Sequence, residues 1–137
     1  MTFLRFVDQT ILASDPKRQG NCLPACVATY LGRPLDEVPH FVEMHTEEVH
    51  WWGLFMGYMY GHGLQAVALE SPNDGNPGEL IFVMGMSARG VCHQVLYRDG
   101  TLAHDPHPSR DGVLDIREVL AFRPIRHDHA PTPEGAE

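Results

Sequence analysis

The chain has 137 residues, 43% hydrophobic and 20% charged, a length and composition typical of one globular domain. Its net charge of -8, with lysines and arginines scattered along the chain, argues against a nucleic-acid partner. No segment reaches the roughly 18 apolar residues that a membrane span needs, so we expect no membrane partner either.

The number of cysteines and the first residues of the chain bear on the cellular location of the protein. Residues 1–10 lack the small-residue cleavage site of a signal peptide. Three cysteines, an odd number, do not suggest a disulfide framework. We therefore expect a cytoplasmic protein.

The first predicted element is a helix that begins after a polar loop. Asn21 is a favourable N-cap, Pro24 fits the first turn, and Gly32 followed by Pro34 ends the helix. A buried stripe recurs at helical spacing: Leu23, Cys26, Val27, Tyr30 and Leu31. A short helical turn is expected at 35–38.

A second long helix is expected from Thr46 to about Tyr60. Glu47 and Glu48 lie in its predicted first turn, where acidic residues favour a helix N-terminus. The glycines around residues 61–63 end it. The face expected to pack inward consists of Val49, Trp52, Phe55, Met56 and Met59.

The second half of the chain has the pattern of strands. Strands are expected at 64–69, 80–84, 91–97 and 101–105, and a short helix at 115–120 precedes a last strand near 122–125. Helices followed by an antiparallel sheet indicate an α+β fold. We assign residues 1–126 to one domain and expect the polar, proline-containing residues 127–137 to be a disordered tail.

Cys22 is the first candidate for chemistry, because it stands at the start of the first helix. The helix dipole and the unpaired N–H groups there stabilise a thiolate, which is the nucleophilic form of cysteine. Cys26 lies one turn later on the apolar stripe and is interpreted as core. The alternative for Cys22 is a small buried residue that opens a helix.

His93 and Asp105 supply the other two groups that a cysteine nucleophile needs, a base and a residue that orients it. They lie on two predicted strands joined around Asp99-Gly100. A two-residue turn would put Asp105 on the opposite face from His93. A three-residue loop, Arg98 to Gly100 with Gly100 left-handed, would set His93 opposite Asp105, and we predict that loop. The alternative for His93 is a histidine that is hydrogen-bonded on a sheet and has no catalytic role.

These segments resemble the papain-like cysteine peptidases. The run GNCLPACVATYLG at residues 20–32 resembles their nucleophile helix, and HQVLY at 93–97 followed by His104-Asp105-Pro106 resembles their histidine strand and Asp-Pro. The closest type is the bacteriocin-processing peptidase and related small bacterial and phage proteins. The resemblance spans residues 7–108 and includes the order of the three groups.

The resemblance implies a papain-like fold, with N-terminal helices packed on a C-terminal antiparallel sheet. It implies acyl transfer through a thioester, with Cys22 as nucleophile, His93 as general acid and base, and Asp105 as orienter. The substrate would be a peptide or another amide-containing molecule, and no cofactor or metal is implied. Peptidase, amidase, deamidase and acyltransferase all stay open, and the oligomeric state is not indicated.

The family also has an oxyanion-hole glutamine upstream of the cysteine, at a position that Pro16 occupies here. Gln9 and Gln19 are the candidates. Gln19 is close to the cysteine in sequence, whereas Gln9 reaches it only if residues 15–20 loop out. We favour Gln9, with the backbone N–H of Cys22 as the second donor.

Two other functions compete with a hydrolase. One is an inactive papain-like binding module. The other is a zinc-binding protein using Cys92, His93, His104 and His107. The zinc alternative is disfavoured because adjacent strand residues point to opposite faces and the spacing fits no standard finger.

Overall fold

The structure is a computed structural model that describes residues 5–125. Its two α-helices are α1, Cys22–Leu31, and α2, Trp51–Gly61, and short 3-10 turns span Leu35–Glu37, Val42–Met44 and Pro72–Asp74. The tail predicted at 127–137 lies outside the described residues. Across residues 5–125, neither α-helix has the length and apolar character needed to cross a bilayer.

One five-stranded sheet forms the second half of the chain. Its strands are β1, Leu64–Ala68; β2, Leu80–Met86; β3, Cys92–Arg98; β4, Thr101–His104; and β5, Asp115–Pro124. They are ordered β1-β5-β2-β3-β4, and every neighbouring pair is antiparallel. The prediction of an α+β fold with helices before the sheet is confirmed.

The core lies mainly between the helices and one face of the sheet. Phe55 and Met59 of α2 are fully buried, as predicted for that helix, and they share a cluster with Cys26 and Val27 of α1. The sheet contributes Leu80, Phe82, Leu96, Leu120 and Phe122. A smaller cluster, Ile81, Val83, Val95, Val119 and Ala121, is buried on the other face. The continuous apolar run in β2 follows from burial on both faces.

The predicted boundaries of α1 are confirmed. Asn21 is the N-cap residue and Gly32 the C-cap, where Gly32 adopts φ 70° and donates its N–H to Ala28 and Thr29. This left-handed position suits a glycine because it has no Cβ. The first turn of α1 is therefore fixed at Cys22.

The predicted start of α2 is wrong, because the helix begins at Trp51 and not at Thr46. The Thr46 hydroxyl accepts the N–H of Val49 at 2.9 Å, which forms a local turn. The His50 ring then caps the real helix by accepting the N–H of Trp52 at 3.1 Å. Val49, predicted to face inward, is 43% exposed.

The helix predicted at 115–120 is also wrong, because this segment is the first part of β5. The strand pairs with β1 on one side, for example Ala68↔Leu120, and with β2 on the other, for example Phe82↔Leu120. Two partner strands satisfy its backbone groups on both sides. This tertiary pairing outweighs the local helical pattern.

The turn between β3 and β4 differs from the predicted three-residue loop. Arg98 pairs with Thr101, which leaves only Asp99 and Gly100 in the turn. Their φ angles of 54° and 82° are those of a two-residue type I′ turn. Gly100 is left-handed, as predicted, but the loop length is wrong.

Candidate active site

Cys22 is the first residue of α1 and lines a cleft of about 440 Å³ between the helices and the sheet. Its side chain is half-buried. His93 of β3 lines the same cleft. The structure therefore brings together the proposed nucleophile and base from segments far apart in sequence.

His93 is held from one side by Asp105. The ring is 3% exposed, and its Nε2 lies 2.6 Å from Asp105 Oδ1. Since Nε2 is used by the carboxylate, Nδ1 is the nitrogen left to face Cys22, which lines the same cleft and raises the pKa of the ring. The structure thus hydrogen-bonds the imidazole to the carboxylate and places both Cys22 and the imidazole at the wall of one cleft.

Asp105 is fixed by more than the histidine. Its carboxylate accepts the backbone N–H of His107 at 2.9 Å and that of Gly112 at 2.7 Å. Burial raises the pKa of Asp105, but the hydrogen bonds from His93 and these two N–H groups outweigh burial and lower the pKa to about 2. The carboxylate is therefore ionised at neutral pH and cannot rotate freely.

A β-bulge explains how Asp105 meets His93 without the predicted loop. After the type I′ turn the ladder shifts register, so that Leu96 pairs with His104 and Ala103 is left over. One extra residue reverses which side chains share a face. Asp105, just beyond the ladder, is thereby turned to the side of His93.

The pKa of His93 reflects these contacts. Burial lowers it, while the hydrogen bond to Asp105, the neighbouring Cys22 sulfur and the charge of Asp105 raise it, to about 9. The ring is therefore protonated at neutral pH. A positive charge lies beside the Cys22 sulfur.

Asn21 brings the N-terminal segment to this cleft. Its side-chain oxygen accepts the N–H groups of Thr10 and Ile11, at 3.0 and 2.8 Å, and its own N–H donates to the Ile11 carbonyl at 3.1 Å. Asn21 is the N-cap residue, but its side chain does not cap the helix. Residues 12–20 are therefore a loop whose two ends are joined by hydrogen bonds.

The hydrogen bonds between Asn21 and residues 10 and 11 hold the adjacent Gln9 at the cleft wall. Gln19 lines the cleft as well. Gln9 is only 8% exposed; its Nε2 donates one hydrogen to the Ile11 carbonyl at 2.8 Å, and its Oε1 has no partner among the described residues. Gln19 is exposed and belongs to the loop. Of the two, Gln9 has the more rigid setting.

The flanking histidines differ in position. His107 lines the cleft, and its ring centroid lies 6.0 Å from that of His93. His104 is buried elsewhere and donates from Nε2 to the Val7 carbonyl at 2.7 Å. Across residues 5–125, no three His, Cys, Asp or Glu side chains are grouped to hold a metal ion.

Sequence reasoning missed most of the cleft wall. Apolar side chains from α1, from the turn before α2, from α2 itself and from the sheet contribute to it: Leu23, Val42, Trp51, Met84 and Val91. Arg89 adds a charge. No local pattern marks these residues, because they meet only through the tertiary fold. Cys92 also lines the cleft and is exposed.

No family model, no curated protein and no solved structure matches this chain. A functional assignment therefore depends on the geometry of the site and on its chemistry.

Proposed function

We propose that this protein is a papain-like cysteine hydrolase that cleaves a peptide or another amide-containing substrate by acyl transfer. The observation that carries the proposal is that Cys22 and His93 line one cleft while Asp105 binds the His93 ring at 2.6 Å. A nucleophile and a base facing the same open cleft, with a group that orients the base, are what such chemistry requires.

The proposed reaction has two halves. The Cys22 thiolate attacks the carbonyl carbon, a C–S bond forms, and His93 gives its proton to the leaving nitrogen as the C–N bond breaks. Water then attacks the thioester, His93 accepts a proton from that water, and the C–S bond breaks. The second half regenerates the Cys22 thiolate and the protonated His93 and releases the acid, unless another nucleophile takes the acyl group.

The start of α1 supports stabilisation of the oxyanion. The first N–H groups of a helix have no partner within the helix, and the Asn21 side chain is turned to Thr10 and Ile11 instead of capping them. The Cys22 N–H is thus a suitable donor, and the second hydrogen of Gln9 Nε2 is the proposed partner donor.

The state of the cysteines supports a reducing compartment. Cys22, Cys26 and Cys92 are all unpaired, and the proposed mechanism needs Cys22 as a thiol. We therefore place the enzyme in the cytoplasm, where thiols stay reduced.

Alkylation by iodoacetamide tests the nucleophile without knowledge of the substrate. In a Cys92→Ser background, where the other cysteine is buried, Cys22 should react at pH 6 at least about tenfold faster than free cysteine. His93→Ala should abolish this excess because the positive charge is lost. A Cys22 that reacts no faster than free cysteine would contradict the proposal.

Turnover tests the rest of the mechanism. With p-nitrophenyl acetate, the protein should show a burst of one equivalent of nitrophenol and a thioester detectable by intact mass, both lost in Cys22→Ala. His93→Ala should slow the burst by about 10²–10⁴-fold. Cys92→Ser is the matched control and should keep the burst. Hydrolysis that survives Cys22→Ala would show that another group is the nucleophile.

A further inference from the structure

Arg89 is the only Lys, Arg, Asp or Glu residue among the described residues that line the cleft. The remainder of the wall is apolar or neutral, apart from the His93 ring. Although the protein has a net charge of -8, no carboxylate is among the described residues that line the cleft, so Arg89 meets no competing charge there.

Arg89 also lacks a carboxylate partner within residues 5–125. Other arginines are neutralised by a nearby acid, and these pairs are Arg18–Glu43, Arg33–Glu37, Arg110–Asp8, Arg117–Asp115 and Arg123–Glu79. Among the described residues, the guanidinium of Arg89 makes one hydrogen bond, to the neutral Ser109 hydroxyl at 3.2 Å. Its remaining donors are free to bind an anion.

The backbone that carries Arg89 is a tight turn between β2 and β3. Ser87 donates its N–H to the Val91 carbonyl at 2.9 Å, Gly90 donates to the Ser87 carbonyl at 3.0 Å, and Gly90 has φ 80°. The Arg89 N–H also donates to the Ser87 hydroxyl at 3.3 Å. The turn leads directly into the strand that holds His93, so the position of Arg89 is tied to that of the base.

A short series of contacts relates Arg89 to the proposed catalytic groups. Ser109, which accepts from Arg89, is also hydrogen-bonded to His107 Nδ1 at 3.0 Å, and the His107 ring lies 6.0 Å from that of His93. Burial and then the charge of Arg89 lower the pKa of His107, which is therefore neutral at pH 7. Arg89 is the permanent cation on this side of the cleft.

We propose that Arg89 selects substrates that carry a carboxylate near the scissile bond. An apolar group of the substrate would pack against Leu23, Val42 and Trp51 on the helical side. This inference rests on the proposed hydrolase function, because it assigns the specificity of the same cleft. The carboxylate could be the C-terminus of a peptide or an acidic side chain, and guanidinium recognises both in the same way.

Three matched thiol reagents test the proposal. They are maleimidopropionyl-glycinamide, which is neutral, maleimidopropionyl-glycine, which has a terminal carboxylate, and maleimidopropionyl-aspartic acid α-amide, whose only carboxylate is on the side chain. In the Cys92→Ser background, each rate of Cys22 modification is divided by that of the neutral reagent. Arg89→Gln should lower this ratio about threefold to fivefold for the preferred carboxylate, as expected for an exposed ion pair.

Arg98→Gln is the control, because it removes the same charge about 16 Å along β3 from His93 and should leave the ratio unchanged. A ratio unchanged by Arg89→Gln for both anionic reagents, or lowered equally by Arg98→Gln, would overturn the carboxylate proposal. Slow reaction with the neutral reagent would instead count against the nucleophile. The two failures are therefore distinguishable.

Discussion

Two cysteines one helical turn apart illustrate how position decides reactivity. Cys22 is half-buried at the start of α1 and lines the same cleft as His93. Cys26 is fully buried, its sulfur lies 3.5 Å from the Gln94 carbonyl oxygen, and burial first of all raises its pKa well above the usual value. A buried thiol of this kind is inert. The prediction that Cys26 is core is confirmed.

Gln9 and Gln19 offer a test of the oxyanion hole at the level of single residues. Under the proposed mechanism, Gln9→Ala removes the second oxyanion donor together with the hydrogen bond to the Ile11 carbonyl, so acyl transfer to Cys22 should slow by about 10²-fold or more. Gln19→Ala is the matched control and should change the rate little, because this side chain is exposed in the loop. Burst kinetics with p-nitrophenyl acetate give both rates.

Alkylation by iodoacetamide forms no oxyanion, so Gln9→Ala should leave that rate unchanged. If alkylation fell as much as acyl transfer, Gln9 would be acting on the structure around Cys22. If Gln19→Ala had the larger effect on acyl transfer, the choice between the two glutamines would be reversed.

At the level of elements, the pairing of β2 with both neighbours depends on Gly85. This residue pairs with His93 on one side and with Ile116 on the other, where the register shifts. A methyl group at Gly85 would overlap the Asp115 carbonyl. The backbone of β5 thus approaches closely because no Cβ is present.

Gly85→Ala should therefore lower the free energy of unfolding by about 1–3 kcal/mol, the usual effect of overpacking. Gly57→Ala is a matched control in α2, where a Cβ would meet nothing within 4 Å. It should raise the free energy of unfolding by about 0.5–1 kcal/mol through helix propensity. Urea titrations measure both, and equal effects would contradict the close approach seen at Gly85.

The helices and strands also show which structural features can be predicted from neighbouring residues. Asn21, Pro24 and Gly32 marked the bounds of α1 correctly, and the left-handed Gly32 ends it by a local rule, although the Asn21 side chain binds residues 10 and 11 and does not cap the helix. The first part of β5, residues 115–120, was predicted as a helix because its pairing with β1 and β2 cannot be read from neighbouring residues, whereas the end of the strand was predicted near 122–125.

For the candidate site, the sequence predicted the residues but not the backbone that brings them together. The residue types and their order led to His93 and Asp105, which do meet, but through the bulge at Ala103 and not through the predicted loop. No sequence pattern predicts that bulge. Arg89 could not be predicted because its turn between β2 and β3 reaches the cleft only once the sheet packs beside α1.

For the whole molecule, the His93–Asp105 pair links folding to pH. The pKa of His93 is raised from 6.5 to about 9, so its contribution is complete below pH 6.5 and is lost as pH rises through 9. The pKa of Asp105 is lowered from 3.8 to about 2, so its contribution is complete above pH 3.8 and is lost as pH falls through 2. Both contributions are present between pH 3.8 and 6.5.

We expect the free energy of unfolding to fall by roughly 2–3 kcal/mol between pH 6 and pH 9.5. Urea titrations at several pH values measure this slope. His93→Gln should flatten it, because the titrating group is gone, whereas His62→Gln, at an exposed position, should preserve it. An equal slope in wild type and His93→Gln would assign the pH dependence to other groups.

The hydrogen bonds between Asn21 and residues 10 and 11 bear on how the loop at residues 12–20 can vary in length. Since Thr10 and Ile11 are hydrogen-bonded to Asn21, the number of residues in the loop at 12–20 does not determine how far Gln9 lies from Cys22. Residues could be gained or lost at the tip of this loop while its two ends stay together. A motif that demands a constant interval between glutamine and cysteine would therefore fail to describe such proteins, even where both groups occupy the same place in space.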